Sequence, residues 1–189
     1  MGAVMGSKNL KAIAVKGDKN NLEYENTEEL RALVKEDIEF IKNDPATQSL
    51  SKIGTNDAYI AQNEMGGLPT RNLKTGVFKD HMELAPDEMH ELYHKNESCY
   101  ACPVRCKITL KASKPYEIDP SYGGPEYETV SSLGSYLCNS NKFVLAKAHE
   151  LCNRYTIDTI SLGASIAFAM ECYENGQIGR ASCRERVSI

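Results

Sequence analysis

The chain has 189 residues, 41% of them hydrophobic, and a net charge of −4, enough for one ordinary core and part of a second. No run reaches the roughly 18 apolar residues that a membrane span needs, and the first eight residues lack the basic and apolar regions of a leader. No Lys/Arg stripe could neutralise a phosphate backbone, so a cytoplasmic protein that binds neither membrane nor nucleic acid is expected.

Leu10 to Lys16 alternates like a strand, but no neighbouring segment could pair with it, which implies sheet upstream. Asn26 and Glu29 form a capping box ahead of Leu30, Leu33, Val34, Ile38 and Ile41 at helical spacing. A helix over about 27–43 follows, stopped by Asp44-Pro45. Shorter helices are expected at about 45–52 and 56–64, ending at Gly54 and Gly66-Gly67. Leu68 to Asn72 reads as an extended loop, and Pro86, followed by Asp87 and Glu88, opens a helix through about His94. Lys107 to Ala112 alternates like a short strand, and Pro115 to Pro125 is a Gly/Pro/Tyr loop. Helices are then expected at about 126–137, 141–155 and 159–175, the last capped by Asp158 and ended by Asn175-Gly176. Ile178 to Ile189 connects to no pattern before it and resembles the translated read-through of a sequencing adaptor, so it is set apart as a non-native tail.

Seven cysteines are the compositional anomaly; in a chain with no leader they point to metal ligation before disulfides. Cys99-Tyr-Ala-Cys102-Pro-Val-Arg-Cys106 places three thiols in eight residues, spacing that suits an iron–sulfur cluster whose fourth ligand comes from elsewhere. A zinc site completed by His94 or Cys138 is the competing reading, and three unligated thiols the plainest one. Cys138, Cys152 and Cys172 sit among apolar or helical residues and read as packing; Cys183 falls in the tail.

Glu126 and Glu128 stand where a helix begins, which suits either capping or catalysis. Asn153 to Asp158 reads as a corner between two helices, with Asp158 as N-cap. His81, His90, His94 and His149 form no metal-binding spacing.

Five segments in order, Gly2 to Ile13, Gly67-Leu-Pro-Thr-Arg-Asn72, Cys99 to Cys106, Gly124-Pro-Glu-Tyr-Glu-Thr129 and Ile157-Asp-Thr-Ile-Ser161, resemble the tungsten-containing aldehyde:ferredoxin oxidoreductases. The resemblance covers Met1 to Gly176. It implies a piece of a longer protein: residues 1–20 ending a pterin-binding first domain, 21–177 an incomplete helical second domain, and 178–189 the tail. The fold class expected is mainly α, a multihelical domain with a short β remnant of an upstream α+β domain.

The implied activity is oxidation of a small aldehyde to a carboxylic acid with ferredoxin as electron acceptor. The implied cofactors are a tungsten (or molybdenum) bis-pterin and a [4Fe-4S] cluster. Cys99, Cys102 and Cys106 match three cluster ligands, with the fourth in a third domain. Glu128 matches a carboxylate near the tungsten, and Asn153 to Asp158 a pterin-binding DxxGL(C/D) motif. Asn153 replaces the family's Asp, and Thr156 its Gly. Lys147 and Glu150 stand where some members carry an ExxH metal bridge between subunits, and a lysine ammonium cannot ligate a cation; a homodimer without a bridging metal stays open. The chain alone is expected to be inactive. Two alternatives remain: a benzoyl-coenzyme A reductase type of subunit, and a non-catalytic iron–sulfur electron-transfer module. The upstream chain discriminates, because only a catalytic parent needs a pterin-binding first domain.

Overall fold

The computed structural model describes residues 2–18 and 23–179, in two compact units, Met1–Ile41 and Lys42–Ile189. Among the described residues the fold is mainly α with one small two-stranded sheet, as expected. No helix among these residues is long and apolar enough to cross a membrane.

The first unit opens with α1 (Gly2–Ser7), which the sequence pattern did not suggest. It ends at Asn9, whose positive φ of 54° closes the turn as Leu10 N–H donates to Met5 O at 2.9 Å. Residues 10–16 form no strand, a correction to the alternation reading. Period-two patterning gives a strand only where a partner's N–H and C=O groups complete the ladder, and among the described residues no strand pairs with it. Next, α2 (Thr27–Asn43) begins at the expected capping box: Asn26 Oδ1 accepts the Glu29 amide at 3.2 Å, and Asn26 Nδ2 donates to Glu29 Oε2. None of its residues is buried.

The second unit holds the core, in which Tyr59, Leu68, Leu84, Val130 and Leu145 are fully enclosed. Its first helix, α3 (Pro45–Ile53), starts with Pro45 and an Asp44 cap that accepts the Thr47 amide at 2.8 Å. The Thr47 amide and hydroxyl hold the Asp44 carboxyl below the usual carboxylate range. The single helix expected at 56–64 is instead a 3-10 turn, Gly54–Ala58, running into α4 (Tyr59–Glu64).

Following α5 (Pro86–Met89) and a 3-10 turn at His90–Leu92, the chain enters β1 (Tyr93–Glu97). The expected helix therefore stops short of His94. Its acidic first turn favours helix only locally, and antiparallel pairing with β2 (Lys107–Leu110) prevails. The register runs from Glu97↔Lys107 to Tyr93↔Leu110, with a bulge between Tyr93 and Lys95.

The helix expected at 126–137 is divided by Gly134 into α6 (Tyr127–Leu133) and a 3-10 turn at Ser135–Leu137. Helices α7 (Lys142–Arg154) and α8 (Thr159–Glu174) fall where expected. Asn141 caps α7 through the Phe143 and Val144 amides. From Arg180 onward the tail lies outside the described residues.

A buried carboxylate ties α7 to the preceding loop. Glu150, 1% exposed, accepts from Lys147 Nζ at 2.8 Å, Arg154 Nη2 at 2.9 Å and the Asp119 amide at 3.1 Å. Lys147 also donates to Glu117 O at 2.7 Å, and the Arg154 guanidinium lies 4.8 Å from the Tyr122 ring centroid. The pair at the ExxH positions is thus an internal tether. Burial by itself would raise the Glu150 pKa, but Lys147, the Asp119 amide and Arg154 outweigh it and hold the carboxyl below its ordinary value. With a folded pKa below the unfolded one, the stabilisation is present above the unfolded pKa, about 4.3, and is lost as pH falls through the folded value. Glu150→Gln should therefore cost about 1–3 kcal/mol at pH 7 and flatten the acid limb of the stability curve. Urea unfolding at pH 7 and pH 4 measures both; an unchanged acid limb would remove the tether from the fold's electrostatics.

Candidate functional site

The hairpin of β1 and β2 carries Cys99, Cys102 and Cys106 on the loop between its strands. Two side chains close its neck: Arg105 Nη2 donates to Asn96 O at 3.0 Å, and Asn96 Nδ2 donates to Arg105 O at 3.2 Å and to Ser51 O. Within the loop the Cys102 amide donates to Cys99 O at 3.2 Å, and Ala101 and Arg105 have positive φ. Cys99 is exposed and the other two half-buried, and all three are free thiols.

Among the described residues no three His, Cys, Asp or Glu side chains converge as a metal-holding group. The three thiols share a loop without yet forming one ligation sphere. Their chemistry nonetheless fits an iron–sulfur cluster, since one closed loop presents three soft sulfur donors and no carboxylate or imidazole. The zinc reading gains no support: His94 sits exposed at the bulge of β1, and Cys138 ends the Ser135–Leu137 turn beside Arg71 and Glu171.

Gly54 and Thr55 link this loop to α6. Gly54 has a φ of 68°, and a Cβ on it would lie 2.9 Å from the Cys106 carbonyl oxygen. Only glycine accepts both that conformation and that approach. One residue on, Thr55 Oγ1 accepts the Tyr127 amide at 2.9 Å and donates to Glu126 Oε2. A side chain more than seventy positions upstream thus supplies the cap of α6. Glu126 itself makes no side-chain cap bond, so local capping does not explain it. Glu128 is exposed in the first turn of α6.

Helices α6 and α8 start side by side. The hydroxyls of Thr129 and Thr159 lie 2.8 Å apart, and Ser132 Oγ donates to Thr159 O at 3.3 Å. At Gly163 an added Cβ would fall 2.3 Å from Ser132 O, so the backbones meet without intervening side chains. The residues next to this contact are Glu128 and Asp158, brought to the same end of the helix pair.

Asp158 Oδ2 accepts the Ser161 amide at 2.7 Å and caps α8; the Ser161 hydroxyl and amide lower its pKa. Asn153, exposed near the end of α7, donates through Nδ2 to His149 O at 2.9 Å. The corner between them is a left-handed helix stop. The Ile157 amide donates to Cys152 O at 2.8 Å, the Thr156 amide to Asn153 O at 3.3 Å, and Thr156 has a φ of 57°. That conformation explains why glycine suits position 156.

Thr55 and Gly54 were missed by sequence reasoning. A Gly-Thr pair after a helix carries no local signal of a long-range cap. Of the residues singled out, the structure joins Glu128 and Asp158 through paired helix starts, and Cys106 to α6 through Gly54-Thr55.

Residues 32–186 match the family described as aldehyde ferredoxin oxidoreductase, domains 2 & 3; the match runs past Ile178 into the segment set apart as a tail. The tungsten-containing aldehyde ferredoxin oxidoreductase of Thermococcus kodakarensis is 39% identical over 183 residues, which cover 94% of this chain and 29% of that protein. Its counterpart in Pyrococcus horikoshii is 40% identical over 180 residues, with the same shares covered. A WOR-like subunit of an aliphatic sulfonate oxidoreductase from Pyrococcus furiosus is 30% identical over 179 residues, 93% of this chain and 28% of that subunit. The chain therefore spans less than a third of the length of these curated relatives.

The corner at Thr156 yields a stability prediction. A β-branched residue in the left-handed region costs about 1–2 kcal/mol, partly offset by the hydrogen bond from Thr156 Oγ1 to Tyr155 O at 2.7 Å. Thr156→Gly should raise stability by about 1 kcal/mol, or roughly 2–4 °C in the unfolding midpoint. Calorimetry showing a lower midpoint would mean that the hydroxyl contributes more than the strain removes.

Proposed function

Because this chain belongs to the aldehyde ferredoxin oxidoreductase family, we propose that it carries part of the redox site of an enzyme that oxidises an aldehyde and water to a carboxylate. Two electrons and three protons leave per turnover, the electrons passing singly to ferredoxin. When bound, a tungsten (or molybdenum) bis-pterin supplies the two-electron chemistry and a [4Fe-4S] cluster the one-electron relay.

The protein's part is ligation, positioning and proton handling. Cys99, Cys102 and Cys106, deprotonated, would hold three irons of the cluster, and closure of the loop above its Asn96–Arg105 neck would gather them. Exposed Glu128 would orient water or substrate and accept a proton released by oxidation. Asn153 has its Nδ2 engaged with His149 O, so its Oδ1 is the acceptor offered to a pterin N–H; it lacks the charge that an aspartate would bring. Asp158 would accept from the pterin while capping α8. A small aldehyde is the favoured substrate class, because the relatives named for aldehydes are 38–40% identical and the one named for sulfonates is 30%. A reducing cytoplasmic setting suits the six described cysteines, all free of disulfides.

The observation that carries this reading is the single loop holding three free thiols and braced by Gly54 against α6. Reconstituted anaerobically with ferrous iron, sulfide and an added thiol for the remaining site, the chain should bind iron and sulfide and develop broad visible absorption. Cys102→Ser should reduce both to background. Zinc in place of iron after anaerobic purification, or iron binding unchanged in the variant, would reject the assignment.

A further inference from the structure

Asn56, in the turn that follows α3, is 4% exposed and only half satisfied. Its Nδ2 donates to Leu84 O at 3.4 Å, while its Oδ1 meets no donor among the described residues. Turning the amide over would set Oδ1 against the Leu84 carbonyl, acceptor against acceptor, so the unmet need stays with the oxygen. A buried acceptor without a donor costs stability, and where protein supplies none, ordered water commonly does.

Asn56 lines a narrow recess between the Gly54–Thr55 turn, β2 and the start of α6, walled by Ile108, Leu110 and Val130 and bordered by Tyr93, Cys106 and Glu126. The hydroxyls there are already committed: Thr55 Oγ1 donates to Glu126 Oε2, and Tyr93 Oη donates to Ile53 O at 3.4 Å. The Cys106 sulfur is assigned to the cluster. A donor for Asn56 Oδ1 must therefore come from outside the chain. The recess leaves about 10 Å³ for it, the room of about one water and far less than an organic ligand needs. A bound cation needs a shell of oxygens, which one amide and one carboxylate do not supply. We propose that the recess holds a single ordered water. One of its protons is donated to Asn56 Oδ1 and the other to an acceptor bordering the recess, the Cys106 carbonyl or the Glu126 carboxylate. The water adds a further link between the base of the cysteine loop and α6, beside the contact made by Gly54 and Thr55. It does so whether or not a cofactor is bound.

Two measurements on the full chain test this. A high-resolution crystal structure should show one water peak at hydrogen-bond distance from Asn56 Oδ1, about 2.6–3.0 Å. In solution, oxygen-17 relaxation dispersion should count one long-lived water fewer in Asn56→Leu, whose methyl groups occupy the recess and need no donor, with helix content unchanged by circular dichroism. Asn56→Met, with its more pliant side chain, replaces that variant if it does not fold. The proposal is overturned by the lack of a peak at that position, or by an unchanged count of long-lived waters in the folded variant. A peak that strengthens when sodium is exchanged for rubidium also overturns it, because the occupant is then a cation. Iron binding by the cysteine loop is read separately, so failure here leaves the redox assignment standing.

Discussion

The contact on which the candidate site depends is made by two residues, Gly54 and Thr55. Gly54 brings backbone against the Cys106 carbonyl, where any Cβ would intrude, while the Thr55 hydroxyl accepts the first amide of α6 and donates to Glu126. One short turn therefore sets the base of the cysteine loop and the start of the Glu128 helix at once. A helix start left without its cap loses about 1 kcal/mol, and a buried amide left unpaired loses more. Thr55 is thus small in area and large in consequence: removing its hydroxyl leaves the half-buried Tyr127 amide, in a different part of the chain, without its acceptor, while exposed Glu126 turns to water.

From that turn, order passes through α6 to α8 and α7. Thr129, Ser132 and Gly163 bring the two helices into backbone contact, which places Glu128 and Asp158 at one end of the pair. Glu150 fastens α7, and with it the Asn153 corner, to the loop at 117–119. The fold thereby fixes Glu128, the Asn153–Asp158 corner and the cysteine loop, which under the proposed function would be the proton-handling carboxylate, the pterin-facing corner and the cluster loop. For redox chemistry supplied by bound cofactors, such positioning is the protein's main contribution.

Local signals made most helices legible. Asn26, Asp44, Asn141 and Asp158 each accept amides at the start of a helix, because capping is a contact between near neighbours. Three features were beyond that reach. β1 was hidden because Tyr93 to Glu97 becomes a strand only through pairing with Lys107 to Leu110. The alternation at Leu10 to Lys16 suggested a strand that finds no partner among the described residues. Gly134 divides the helix expected at 126–137, although most of that stretch carries helix-compatible residues. The start of a helix at Glu126 and Glu128 was readable from the sequence, whereas the part of Thr55 was not: it arises from a contact 72 positions away.

The coupling of cysteine loop to α6 is tested most directly by amide hydrogen exchange in Gly54→Ala and Thr55→Val. If the turn holds both, Thr55→Val should speed exchange of the Tyr127 amide about five- to tenfold, as expected for loss of a cap worth about 1 kcal/mol. Gly54→Ala should then speed exchange both at Cys102 in the loop and at Tyr127. Exchange unchanged at Tyr127 in Thr55→Val, or a Gly54→Ala effect confined to the loop, would mean that the two parts of the site are held independently.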